Sequence, residues 1–189
     1  MKKYTIIGGV NGAGKSSLTG VLRGTYSDLG VVVDTDSITE RLGADRIAGG
    51  KKAVGIINDC LEKGVNFTQE TTLSGKKTLR TVLRARERDY FIRLYYVAVS
   101  SAEESSARIA NRVRKGGHDI SEKDVIRRFE KRFEDLARIL PYCDEVHFYD
   151  NENGFIEVGE YRNGNVILSG EYVPDWISRF KQIMENNLI

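Results

Sequence analysis

The sequence predicts an α/β fold: a parallel sheet of about five strands with helices on both faces, followed by a C-terminal β-hairpin and helix. Three observations carry this expectation. Short β-rich apolar runs alternate with stretches of helical periodicity as far as about Tyr149. The first run, Tyr4 to Ile7, passes into a glycine-rich loop and then a helical segment. The second, Val31-Val32-Val33, is unbroken valine bounded by Gly30 and Asp34, as expected for a parallel strand buried on both faces.

The glycine-rich loop is Gly9-Val10-Asn11-Gly12-Ala13-Gly14-Lys15-Ser16, with Ser17 opening the helical segment to Arg23. Its spacing, G-x-x-x-x-G-K-S, is that of a phosphate-binding P-loop. Glycines let consecutive backbone N–H groups turn inward around an anion, and the helix adds its positive end. Gly9, Asn11, Gly12, Ala13, Gly14, Lys15, Ser16 and Ser17 are therefore the candidate nucleotide-binding residues. Lys15 would reach the β- and γ-phosphates of ATP, and the Ser16 hydroxyl would hold Mg²⁺. The fold expectation narrows accordingly to a P-loop NTPase or kinase-like sheet.

The remaining elements follow in order. Ala44 to Lys63 has helical spacing at Val54, Ile57 and Leu61 and is expected to be broken or loosened at Gly49-Gly50. Val65 to Glu70 reads as the third strand and Thr71 to Gly75 as a turn. Lys76 to Arg88 reads as an exposed basic helix with Leu79 and Leu83 inward, and Tyr90 to Val99 as the fourth strand. Ser100-Ser101 before Glu103-Glu104 is a capping box that starts a helix to about Lys115. After the loop Gly116-Gly117-His118-Asp119-Ile120, Ser121 caps a helix whose stripe Val125, Phe129, Phe133, Leu136 and Leu140 faces the core, with Pro141 ending it. Asp144 to Tyr149 is the fifth strand. Phe155 to Ser169, with Asn163-Gly164 inside its turn, reads as a hairpin, and Pro174 to Asn186 as the last helix. The chain is expected to form one domain over 1–189, with a core of 1–150 and an accessory piece of 151–189.

The 189 residues carry a net charge of +2, which argues for no polyanionic partner and makes nucleic acid an unfavoured one. No apolar run approaches the ~20 residues of a membrane span, and Met-Lys-Lys-Tyr leads straight into a strand, so no membrane association and a cytoplasmic location are expected. Cys60 and Cys143 lack metal-ligand spacing, and Cys60 falls in step with a core stripe.

Several polar residues fall where the ligand end of such a sheet should lie. Asp34 and Asp36 flank Thr35 at the end of the second strand, where alternation puts both on one side and a carboxylate could deprotonate an attacking hydroxyl. Asp36 is the candidate base; Asp34 is read as supporting or structural. Both also suit an N-cap, and Ser37 to Glu40 is itself a capping box. Glu70 and Thr72 close the third strand, as substrate contacts or, for Glu70, as a holder of Mg²⁺ through water. Arg108, Arg112 and Lys115 share a helix face, and Arg127, Arg128 and Arg132 open the next helix across the Gly-Gly loop. This is the arrangement of a phosphate-closing lid, with Arg112 and Arg128 as the candidate catalytic pair and His118 as a candidate substrate contact. An Asn-Lys-x-Asp stretch for guanine recognition is missing, and Leu73-Ser74-Gly75 starts but does not continue a transporter-type ATPase signature.

Gly-Gly-Val-Asn-Gly-Ala-Gly-Lys-Ser-Ser, Asp-Thr-Asp, Glu-Thr-Thr-Leu-Ser-Gly and Arg-Val-x-x-Gly-Gly-His, in this order, resemble the zeta-toxin family, in particular its compact branch of predicted ATPases. The likeness runs from about Tyr4 to Tyr149 and on through Asp150-Asn151. It implies a P-loop kinase fold and ATP-dependent phosphorylation of a small-molecule acceptor. The larger toxins phosphorylate the sugar 3′-hydroxyl of UDP-N-acetylglucosamine, and an antitoxin protein becomes a candidate partner. By the same resemblance Lys15 and Ser16 would hold phosphate and Mg²⁺, Asp36 would be the base, and Glu70 and Thr72 would line the substrate site. Near Val54 the larger toxins carry a further substrate-contacting glutamate that this chain lacks. Two other readings stay open: an ATP-dependent switch without an acceptor, and a kinase acting on nucleic-acid ends.

Overall fold

A computed structural model describes residues 1–117 and 119–186. Seven strands form one sheet: β1 (Lys3–Gly8), β2 (Val31–Asp34), β3 (Phe67–Thr71), β4 (Phe91–Ala98), β5 (Glu145–Asp150), β6 (Ile156–Arg162) and β7 (Asn165–Leu168), in the order β2-β3-β1-β4-β5-β6-β7. The first five are parallel, as expected. The hairpin β6–β7 is not an accessory beside the sheet. It continues the sheet, with β6 antiparallel to β5, and Asn163 and Gly164 both take positive φ (52° and 82°) in its turn.

Among the described residues seven α-helices accompany the sheet: α1 (Lys15–Thr25), α2 (Thr35–Arg41), α3 (Arg46–Lys63), α4 (Lys77–Arg86), α5 (Ala102–Arg114), α6 (Glu122–Ala137) and α7 (Asp175–Glu185). Alternation along the central strands sends neighbouring residues into different cores. Ile6, Leu94 and Tyr96 pack with Ile57 and Leu61 of α3, Val82 of α4, Phe133 and Leu136 of α6, and Trp176 and Phe180 of α7. Ile7, Tyr95 and Val97 pack with Leu18 and Leu22 of α1. Helices thus cover both faces.

Three local expectations are corrected. α3 runs unbroken through Gly49-Gly50, because Gly49 lies against Thr39 of α2, where a side chain would collide with Thr39 Oγ1 and approach its Cα to 2.8 Å. On α4 the inward positions are Thr78, Val82 and Ala85, while Leu83 is 38% exposed. α6 ends at Ala137, and Pro141 sits inside a 3₁₀ turn, Leu140–Tyr142, rather than at the helix end. The caps at Ser101 and Ser121 form as read, each accepting a backbone N–H three residues on.

Candidate functional site

In the order β2-β3-β1-β4-β5, the chain leaves β1 toward β2 and returns beside β1 through β3. The crevice above the C-terminal ends of these strands is the expected ligand position in an open α/β sheet. A cleft of about 600 Å³ opens there.

Its floor is the loop from β1 to α1. Gly12 and Gly14 take positive φ (75° and 100°), and a side chain at Gly12 would meet the Ser105 carbonyl oxygen at 2.6 Å. Gly9 and the buried Ala13 pack beneath the loop, while Asn11, Gly12, Gly14, Lys15, Ser16 and Ser17 line the cleft. The half-buried Lys15 donates from Nζ to the Val10 carbonyl at 3.0 Å. Burial holds its pKa below the usual lysine range, opposed by the carboxylates of Asp36, Glu70 and Asp34.

Glu70 ends the inner part of β3 opposite Asp34 of β2 and Ile7 of β1. Its buried carboxylate is held by two hydroxyls of α1. Ser16 Oγ donates to Oε2 at 2.6 Å and Thr19 Oγ1 to Oε1 at 2.7 Å. Glu70 therefore faces the P-loop helix. Thr19 was not foreseen, although its place one turn after Ser16 was readable.

Asp34 and Asp36 are not two residues of one strand face. β2 stops at Asp34, which caps α2 by accepting from the backbone N–H of Asp36 (3.0 Å) and Ser37 (3.3 Å). The capping role read for Ser37 thus belongs to Asp34. Burial first, then the neighbouring Glu70 carboxylate, push the Asp34 carboxyl up. Asp36 stands exposed in the first turn of α2 and lines the cleft.

The opposite wall comes from α5 and α6. Arg112 and Arg128 both line the cleft, with Arg108 beside them. Arg128 Nη1 donates to Asn11 Oδ1 at 2.7 Å, joining α6 to the P-loop. Arg108 donates to Glu104 at 2.5 Å and to the Glu152 carbonyl at 3.1 Å. Arg132 points elsewhere: it is buried, stacked on Phe129 and Phe133 at 3.7 and 4.1 Å. Arg127 pairs with Asp124 on the surface. Thr72 lines the cleft beyond β3, near Ser74, Lys77 and Thr78, which sequence reasoning did not assign. A side lobe of about 160 Å³ runs past Asp36 and Arg128 toward Arg46 and Asp124. His118 lies outside the described residues.

The cleft thus brings together Lys15, Ser16, Asp36, Glu70, Thr72, Arg112 and Arg128. Val54 is 45% exposed on α3 and is not among its lining residues. Among the described residues no three His, Cys, Asp or Glu side chains gather to bind a metal by themselves. None of the described helices is long and apolar enough to cross a membrane.

No family profile matches the chain. An uncharacterized protein of Haemophilus influenzae is 31% identical over 124 residues, which span 63% of this chain and 86% of that protein. Among solved structures, a chain of the PezAT chromosomal toxin–antitoxin system of Streptococcus pneumoniae superposes with a TM-score of 0.66 at 15% identity, over 100% of this chain and 86% of that one. The AvrRxo1-ORF1:-ORF2 complex with ATP gives 0.68 at 12% identity, over 98% of this chain and 76% of that one. The chain belongs to the family of the Haemophilus protein, and its fold is that of the zeta-toxin-like P-loop kinases.

Proposed function

We propose that this protein is an ATP-dependent kinase that transfers the γ-phosphoryl group to a hydroxyl of a small-molecule acceptor. One observation carries the reading: a P-loop lysine and serine, an exposed carboxylate and arginines from two lid helices converge on a single cleft. In phosphoryl transfer the protein's work is mostly positioning and charge stabilisation, and these groups supply both.

The acceptor hydroxyl gives its proton to the Asp36 carboxylate as its oxygen bonds to the γ-phosphorus. The bond from that phosphorus to the β,γ-bridging oxygen breaks, and its electron pair leaves on ADP. Lys15 and the P-loop N–H groups hold the β- and γ-phosphate oxygens, and Arg112 and Arg128 balance the charge spreading over the transferring group. The hydroxyl and carboxylate oxygens at Ser16 and Glu70 suit a hard cation. Ser16 would hold Mg²⁺ directly, with Glu70 behind it, and the ion would neutralise phosphate charge. Thr72 and the lobe beyond Asp36 lie on the acceptor side.

UDP-N-acetylglucosamine is the acceptor we favour, on the resemblance of the Glu70-Thr71-Thr72 motif to that of the zeta toxins. A protein antitoxin is the partner we favour, since the PezAT neighbour comes from a toxin–antitoxin system. The test is a screen of acceptors with γ-labelled ATP, UDP-N-acetylglucosamine included, with Lys15→Ala as the blank. Label in an acceptor supports the reading. Failure with this nucleotide sugar alone removes that acceptor and leaves the class.

A further inference from the structure

Three consecutive residues at the end of β5, Asp150 to Glu152, tie distant parts of the chain to the donor side of the site. Asp150 is fully buried, and its carboxylate accepts from Trp176 Nε1 (2.8 Å), Tyr172 Oη (3.3 Å) and the backbone N–H of Glu152 (3.0 Å). Asn151 is pinned by its own N–H to the Ala98 carbonyl at the end of β4 (3.0 Å), and its Nδ2 donates to the Ala13 carbonyl inside the P-loop (2.8 Å). Glu152 accepts from the Ser100 hydroxyl (2.6 Å) and backbone N–H (3.3 Å) through its carboxylate, and from Arg108 of α5 through its carbonyl (3.1 Å).

The Ala13 bond has a consequence for the ligand. A trans peptide is planar, so the Ala13 C=O and the Gly14 N–H point in opposite directions. Fixing the carbonyl outward on Asn151 therefore fixes the Gly14 N–H inward, and Gly14 lines the cleft. The fit is close: a side chain at Gly14, which already holds φ at 100°, would run into Asn151 Nδ2 and lie 3.6 Å from Phe155. An amide that stands against a glycine and holds the neighbouring carbonyl is placed to set the loop's shape before any nucleotide arrives.

We propose that Asn151 is a positioning residue for nucleotide phosphate, and that the C-terminal segment, through Trp176, Tyr172 and Asp150, holds it there. This rests on reading Gly9–Ser16 as the phosphate loop, but not on the identity of the acceptor. α7 and the segment before it then serve the donor site as well as the core.

The test is ATP binding to the full chain by calorimetry, with melting of the nucleotide-free protein measured alongside. Asn151→Leu keeps roughly the side-chain volume and loses the N–H donor; Asn151→Ala gives the same readout should leucine prevent folding. Losing one loop-orienting hydrogen bond is expected to raise the Kd for ATP about three- to tenfold, with little change in the nucleotide-free melting temperature. An ATP affinity within about twofold of the parent's would overturn the proposal. Trp176→Phe tests the link to the C-terminal segment: a higher Kd supports it, and a lower melting temperature with unchanged Kd overturns it. A parent that fails to bind ATP removes the phosphate-loop reading and this inference with it. A parent that binds ATP but labels no acceptor removes the kinase reading alone.

Discussion

Ser16 Oγ donates to Glu70 Oε2 at 2.6 Å, and Thr19 presents its hydroxyl to the other oxygen of the same carboxylate at 2.7 Å. Two residues a turn apart on α1 thus grip an acid from β3, and the sheet and the P-loop helix meet at the point where Mg²⁺ would be held. Glu70→Gln keeps the shape and removes the charge, and it puts an amide donor against a hydroxyl. Residues that back a metal ligand commonly affect metal affinity or activity by about 10- to 100-fold. The Mg²⁺ concentration for half-maximal transfer should rise by that order, measured by titrating Mg²⁺ at saturating ATP. An unchanged Mg²⁺ dependence would place Glu70 in the fold alone.

Two adjacent glycines of α3 should respond with opposite signs. Gly49 faces α2, where an added Cβ collides with Thr39, whereas Gly50 has nothing within 4 Å. Gly49→Ala should destabilise by about 1–3 kcal/mol through overpacking. Gly50→Ala should stabilise by about 0.5–1 kcal/mol, because glycine is the weaker helix former. Urea unfolding of both variants measures this, and the same sign for both would contradict the packing of α2 on α3.

His147 lies between two carboxylates, with Nδ1 2.7 Å from Glu157 and Nε2 2.9 Å from Glu145, and its ring stacks on Tyr95. Burial disfavours the imidazolium, but the hydrogen bonds its ring N–H groups donate to Glu157 and Glu145 outweigh it and hold the pKa above the usual histidine value. A raised folded-state pKa means that the pair's stabilisation is full below about pH 6.5 and is lost as pH rises through the folded value. Glu145 and Glu157 are partly exposed, so the contribution is about 1 kcal/mol or less. His147→Gln should melt below the parent at pH 6, with the two curves converging by about pH 9. A constant gap across that range would show that the imidazolium contributes nothing.

The parts of the site written in contiguous residues were legible. The P-loop spacing, the five parallel strands and the place of Glu70 near the end of the third strand could be read because local periodicity and one motif specify them. Asp34 was read as one of a pair on a strand face. Its capping bonds to Asp36 and Ser37 turn the chain into α2 immediately, so strand alternation does not reach Asp36. The bonds from Asn151 to Ala13 and from Arg128 to Asn11 span 138 and 117 residues. No local pattern encodes such a contact; it exists only once β5 has paired with β4 and α6 has packed. The hairpin is a similar case. Asn163-Gly164 announces the turn, but its pairing with β5 depends on which edge of the sheet is open. On α4 the buried face is Thr78, Val82 and Ala85, so leucine hydrophobicity alone did not mark it.

In the proposed phosphoryl transfer Asp36 takes the acceptor's proton while the donor sits on Lys15 and Ser16. The most direct measurement follows γ-labelled ATP with the parent, Asp36→Asn and Lys15→Ala side by side, with ATP binding determined for each. Label should enter an acceptor with the parent alone, ATP affinity should stay within about threefold in Asp36→Asn, and it should be lost in Lys15→Ala. Label recovered only as inorganic phosphate with the parent, or an Asp36→Asn variant that transfers as fast as the parent, would contradict the proposed transfer.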